Sequence, residues 1–167
     1  MSEAIKCKHR IQHLLVGKSV LDIGTDDDKV CPWAIGVDLS RVTEQVNLVG
    51  NATNLYWFRD GVFDVVFSSH TLEDIDDTDK TLREWLRVLK SGGHLILYLP
   101  HKDFYPNIGQ PYANAGHKHD FYPEDIMNVI DKIGVVQMIY SNVYCEKFIY
   151  ELRSGQEYSF EQVYRKI

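Results

Sequence analysis

The chain has 167 residues, of which 44% are hydrophobic, and a formal net charge of −6 at pH 7. This length and apolar content are typical of one globular domain with a buried core. The negative charge argues against nucleic acid as a partner, because binding through phosphates needs clustered Lys and Arg. A small or neutral substrate fits this composition better.

Cysteine usage and the N-terminus bear on the compartment. Cys7, Cys31 and Cys145 are widely spaced and odd in number, which fits neither a disulfide framework nor a zinc motif and favours a reducing compartment. The first residues lack an apolar signal segment, and no apolar run approaches the roughly 20 residues of a membrane span. We therefore expect a complete cytoplasmic protein, and self-association into a homodimer stays open.

Two apolar runs lie close together near the start of the chain. Residues 20–23 precede Gly24, and residues 34–37 precede Asp38. Glycine lets a ligand approach the backbone, and a carboxylate at the end of a neighbouring parallel strand can accept hydrogen bonds from both hydroxyls of a ribose. Together with the segments that follow, these runs resemble the core of the class I S-adenosylmethionine (SAM) dependent methyltransferases, of the methyltransferase type 11 kind.

The loop after the first run departs from the family pattern. Of the family's series of glycines only Gly24 is present, and Asp26-Asp27-Asp28 follow it, so this is a small variant with a degenerate glycine-rich loop. Residues 25–33 contain Pro32 and are too few for a full helical crossover. We expect a loop or a single turn here, with the aspartates forming a solvated turn.

The resemblance implies a cofactor site for SAM. The family's ribose-binding acid corresponds to Asp38, for which a strand-end cap is the structural alternative. The family's glycine-aspartate-alanine segment at the adenine corresponds to residues 50–52, where Asn51 keeps one acceptor oxygen, although a turn role for it stays open. The predicted cofactor-binding residues are Asp22, Gly24, Thr25, Asp38, Leu39, Asn51, Ala52 and Ser68.

Candidate catalytic residues follow the fourth strand and lie in a later polar loop. His70 ends the predicted fourth-strand segment 60–70, and an imidazole near neutral pKa suits a general base, although a structural role for His70 is an open alternative. His119 is the second catalytic candidate. Residues 100–122 are predicted to be the substrate loop, with His101, Tyr105, Tyr112 and His117 as substrate-binding residues. His117 and His119 have a spacing that two metal ligands could use, but we expect no metal site.

The remaining segments complete the expected fold. Residues 3–16 predict a lid helix, residues 76–90 and 123–133 predict two amphipathic helices, and 82–97 give the most specific family match. The resemblance implies an α/β, Rossmann-like, mostly parallel seven-stranded sheet of order 3-2-1-4-5-7-6, with an antiparallel last strand, helices on both faces and shortened first crossovers. We expect one domain over 1–167 with its core at 19–152.

The end of the chain is predicted from alternation alone. Residues 135–141 and 147–152 are expected to form the closing antiparallel hairpin, and the polar, aromatic tail 156–167 to be helical without a chemical role. The expected function is SAM-dependent methyl transfer to a small-molecule or glycan acceptor. The alternative is a catalytically inactive methyltransferase-like module that binds a partner through its loops.

Overall fold

The computed structural model describes residues 3–153 and 155–167. It contains three α-helices, α1 (Ala4–Leu15), α2 (Thr78–Val88) and α3 (Pro123–Ile133), among the described residues. The strands are β1 (Val20–Ile23), β2 (Ile35–Asp38), β3 (Leu48–Val49), β4 (Phe63–Ser69), β5 (Leu89–Pro100), β6 (Val136–Cys145) and β7 (Tyr158–Lys166). Short 3-10 helices span Leu72–Asp74 and Tyr150–Leu152.

The seven strands form one sheet in the order β3-β2-β1-β4-β5-β7-β6. The strands β1 to β5 pair in parallel, and β7 is antiparallel to both of its neighbours. This confirms the predicted α/β architecture and strand order. In the described chain, β1 leads to β2 through turns alone, so the shortened crossover is also confirmed.

The two faces of the sheet bury different residues of the same strands. In β5, Leu95 and Leu97 pack with α2 and α3, whereas Ile96 and Tyr98 pack with α1 on the other face. The alternation of side chains along a strand gives each face its own core. The helix α1 buries Ala4, Cys7, Ile11 and Leu15 in this second core.

Capping residues explain where α2 and α3 begin and end. Asp77 accepts a hydrogen bond from Lys80 N at the start of α2. Pro123 occupies the first turn of α3, where a missing N–H costs nothing, and Gly134 ends this helix with φ of 74°. The starts of both helices and the end of α3 agree with the sequence predictions, whereas α2 ends at Val88, two residues before its predicted end, because β5 already begins at Leu89.

The prediction of the last strand was wrong in position. Residues 147–152 form a loop and a 3-10 helix, whereas the tail predicted to be helical forms β7, so the sheet extends past the predicted core boundary at 152. Polar residues of β7 are buried because each has a partner: Glu161 accepts from Tyr140, and Gln162 donates to the carbonyl of Pro123. Their burial conceals the apolar alternation that marks a strand.

Among the described residues, no helix has the length and apolar character that crossing a membrane requires.

Candidate functional site

A cavity of about 340 Å³ opens at the carboxyl ends of β1 and β2, beside the segment that follows β4. In open α/β sheets, ligands bind outside these strand ends. The volume lies within the range of small-molecule sites. The cavity therefore occupies the place where a nucleoside-type ligand is expected.

Gly24 forms the cavity wall at the end of β1. Its φ is +76°, and a Cβ atom added there would lie 1.8 Å from Thr71 Oγ1. Its N–H donates to the carbonyl of Val37 at 2.8 Å, which ties the end of β1 to β2. Only glycine combines this backbone conformation with such a close approach of Thr71.

Asp38 presents a carboxylate to the cavity from the end of β2. Its Oδ2 accepts a hydrogen bond from the backbone N–H of Asp26 at 3.1 Å, which fixes the turn after Gly24. Asp26 also lines the cavity, and its pKa is raised by burial and by the charges of Asp27 and Asp38. The first residue of the acidic run, Asp26, is thus part of the cavity wall.

The segment after β3 supplies the neighbouring wall. Asn51 and Ala52 line the cavity together with Leu39. The Asn51 Oδ1 accepts from Thr53 N at 2.9 Å, so this side chain makes a turn as well as lining the cavity. Trp85 of α2 donates its indole N–H to the Ala52 carbonyl at 2.9 Å and anchors the segment to the core.

His70 borders the cavity where β4 ends. Its φ is 47°, and its backbone N–H donates to the carbonyl of Tyr98. The ring nitrogen Nε2 lies 2.7 Å from Ser159 Oγ. Burial, followed by the nearby Lys6 and His117, holds the pKa of His70 well below its usual value. At neutral pH this imidazole is therefore uncharged and can accept a hydrogen bond.

Carboxylates dominate the charge of the cavity. Asp26, Asp38 and Asp74 line it, and its described lining contains no Lys or Arg. Such a wall attracts a cationic ligand and repels phosphate groups. The cavity is thus suited to a nucleoside that carries positive charge and is unsuited to a dinucleotide.

Three predicted cofactor residues lie beneath the cavity instead of along it. Asp22 is buried and accepts from Val30 N at 2.6 Å, Thr25 donates to the carbonyl of Asp22, and Ser68 donates to the carbonyl of Ile23. Their side chains hold the shortened loop and join β1 to β4. Burial is the main cause that raises the pKa of Asp22 to about 7.

The predicted substrate loop folds back over the sheet, but its candidate residues do not form one site. His101 is buried, and its Nδ1 accepts from Asp103 N. Tyr112 is exposed and stacks on Tyr150 with ring centroids 4.4 Å apart. Both of these predicted substrate-binding residues thus have local structural partners away from the cavity lining.

Three other loop residues lie nearer the segment 72–76. His119 stacks on Phe121, and its Nε2 lies 3.1 Å from the carbonyl oxygen of Asp76. His117 is buried close to Glu73 and Asp74, and Tyr105 lies beside the His117 ring. No group of three His, Cys, Asp or Glu side chains in the described ranges has the arrangement of a metal site.

Sequence reasoning missed several residues of the cavity. Asp74 and Ile75 follow β4, and Asn114 reaches the cavity from the long loop. The first two stand just beyond a strand end, which is a signal that could have identified them. Asn114 has no such signal, because only the folding of the loop brings it there.

Comparisons with known proteins agree with this geometry. Residues 29–97 match the Methyltransferase domain family. The ubiquinone/menaquinone biosynthesis C-methyltransferase UbiE of Idiomarina loihiensis is 30% identical over 123 residues, which cover 65% of this chain and 49% of that protein. The protein of the same name from Pasteurella multocida is 35% identical over 95 residues, which cover 57% of this chain and 32% of that protein. The chain thus spans about half, or less, of the length of these curated relatives.

A solved structure shows the same fold. The S-adenosylmethionine dependent methyltransferase from Mesorhizobium loti superposes with a TM-score of 0.73 and covers 96% of both chains at 14% sequence identity. At this identity the likeness concerns the fold and not the choice of substrate.

Proposed function

Because this chain belongs, by fold and by sequence match, to the class I SAM-dependent methyltransferases, we propose that it binds SAM in the cavity beside Gly24 and Asp38 and transfers the methyl group to a small-molecule acceptor. The observation that carries the proposal is the position of the Asp38 carboxylate at the end of β2, in a cavity whose charged lining is acidic.

The lining fits the chemical groups of SAM. Asp38 offers two oxygens to the ribose hydroxyls, and the apolar side chains of Leu39 and Ile75 offer a slot for the adenine. Asp26 and Asp74 complement the positive sulfonium and amino groups. When bound, SAM supplies an activated methyl group, and the protein's own residues orient it and exclude water.

The acceptor is proposed at the level of a small molecule. The names of the curated relatives favour a quinone-type ring. Neither of these names supports a glycan acceptor, and no observation favours a non-catalytic module, since Gly24 and Asp38 both keep the positions that a cofactor site needs.

Calorimetric titration of the protein with SAM and with S-adenosylhomocysteine tests this proposal. We expect micromolar binding to the wild type and at least tenfold weaker binding to Asp38→Ala, since one to two hydrogen bonds to a charged group are lost. Asp60→Ala is the matched control, because Asp60 pairs with Arg87 and does not line the cavity. Absence of binding to the wild type at near-millimolar SAM would refute the proposal.

A further inference from the structure

A group of buried oxygen atoms beside the cavity has no hydrogen-bond partner among the described residues. It comprises both carboxyl oxygens of Glu73, the hydroxyl oxygen of Ser69 and Oδ1 of Asp74. The Glu73 side chain is only 1% exposed. Buried polar atoms are nearly always hydrogen-bonded, since leaving them unpaired costs a large part of their hydration energy. These atoms therefore need a partner that the described residues do not supply.

The unpaired carboxyl of Glu73 lies between two histidines. Its Oε1 is 3.8 Å from His70 Nδ1 and 3.7 Å from His117 Nε2, and the latter nitrogen is 3.9 Å from Asp74 Oδ1. Each distance is too long for a direct hydrogen bond. A single oxygen or nitrogen atom placed among these groups would bond to two of them at once.

This cluster adjoins the cavity assigned to SAM. His70 and Asp74 both line that cavity, while Glu73 and His117 lie behind them. The Glu73 carboxyl is therefore one layer of side chains away from this cavity.

The protonation states of the cluster make it complementary to a hydroxyl. Burial raises the pKa of Glu73 well above its usual value, and burial lowers the pKa values of His70 and His117. The raised pKa favours the protonated form of Glu73, in which the carboxyl group can donate a hydrogen bond. In the tautomer that carries its proton on Nε2, His70 donates to Ser159 Oγ, and its Nδ1 keeps a lone pair near Glu73.

Other charged and titratable groups face the cluster from the elements around it. Glu3 and Lys6 of α1 pair with one another at 2.7 Å, and Tyr158 of β7 donates to Glu3 Oε1. The Tyr105 ring lies beside those of His70 and His117. Glu3, Lys6 and Tyr158 are thus paired with one another, whereas Glu73 and His70 Nδ1 have no such partner among the described residues.

We propose that Glu73 and His70 form a subsite for a hydroxyl group of the methyl acceptor, in which the Glu73 carboxyl donates to the hydroxyl oxygen and the hydroxyl donates to His70 Nδ1. The class of acceptor is thus a hydroxyl-bearing small molecule. This inference rests on the proposed function, since the subsite is meaningful only beside a SAM site. A carbonyl or ether oxygen would satisfy Glu73 but leave His70 Nδ1 unpaired.

The test uses phenol and its methyl ether anisole as probes on the full chain saturated with S-adenosylhomocysteine. Binding is followed through the NMR signals of the histidine side chains. We expect phenol to bind about tenfold more tightly than anisole, as the loss of one buried hydrogen bond predicts, and to perturb His70. Equal affinity for the two probes, or no perturbation of His70 by phenol, would overturn the proposal.

Variants separate this subsite from the SAM site. Glu73→Ala should weaken phenol about tenfold and leave the affinity for S-adenosylhomocysteine within twofold, whereas Asp131→Ala, which removes an exposed carboxyl group on α3, should alter neither. Should Glu73→Ala unfold, Glu73→Gln replaces it, since an amide still donates and should keep the preference for phenol over anisole. Unchanged phenol binding in a folded Glu73→Ala would refute the role of Glu73, and equal binding of both probes by Glu73→Gln would refute the hydrogen bond from the hydroxyl to His70 Nδ1. Failure of the wild type to bind S-adenosylhomocysteine would instead refute the proposed function.

Discussion

The substitution Gly24→Ala measures how much the close approach of β1 to Thr71 contributes to stability. A left-handed conformation costs an L-residue about 1–2 kcal/mol, and Gly24 has φ of +76°. The new Cβ would also lie 1.8 Å from Thr71 Oγ1 and 2.8 Å from its Cβ. Rotating Thr71 would break its hydrogen bond to the carbonyl of Ser69, worth about 1 kcal/mol, and the remaining overlap would force a backbone shift of about 1–2 kcal/mol.

The expected loss of unfolding free energy is therefore about 3–5 kcal/mol, measured from the urea midpoint at unchanged slope. Gly109→Ala is the matched control: Gly109 has φ of +82° with no atom within 4 Å of an added Cβ, so only the conformational cost of about 1–2 kcal/mol applies. Losses that agree within about 0.5 kcal/mol would show that Thr71 yields freely and would refute the steric part of the reasoning.

Three further predictions concern buried polar groups. Because burial raises the pKa of Asp22 to about 7, the folded protein keeps a proton that the unfolded chain releases near pH 4. Stability should thus fall by up to about 4 kcal/mol between pH 4 and 7, and urea unfolding of Asp22→Asn should lack that fall; an equal fall in both proteins would contradict the assignment. Trp85→Phe removes the hydrogen bond to the Ala52 carbonyl and should cost about 1–3 kcal/mol in urea unfolding, with weaker SAM binding in calorimetry. Unaltered SAM affinity of Trp85→Phe would show that the position of residues 51–54 does not depend on the hydrogen bond from Trp85. Glu161→Ala should cost about 3 kcal/mol in the same unfolding assay, because it deprives the guanidinium of Arg10 of one buried partner. A loss below about 1 kcal/mol would mean that Glu157 alone satisfies Arg10.

The first half of the sheet could be predicted from the sequence because a simple rule applies there. Strands β1 and β2 are short apolar runs, and Gly24 and Asp38 stand just after or at their ends, where parallel strands present ligand-binding groups. The rule gives a position along the chain but not the direction of a side chain. Thr25 and Ser68 occupy suitable positions and yet turn inward to bond backbone carbonyls.

The second half depended on contacts between distant segments, which sequence patterns do not encode. Glu161 is buried because Arg10 of α1 and Tyr140 of the neighbouring strand β6 both donate hydrogen bonds to its carboxylate. In the sequence, Glu73 is one of several acidic residues after β4. Only the folded structure shows that the long loop places His117 beside it. Local periodicity predicts an element when its neighbours are apolar, and it fails where buried polar pairs replace them.

The placement of β7 imposes an order on how the sheet is assembled. The strand β6 pairs with β7 and with no other strand of the described chain, and β7 occupies the edge of β5. Although β6 precedes β7 in the sequence, its backbone groups gain partners only after residues 158–166 are available. During synthesis, the edge of β5 therefore stays open until residues 158–166 emerge, and until then that edge is a template for pairing with another chain.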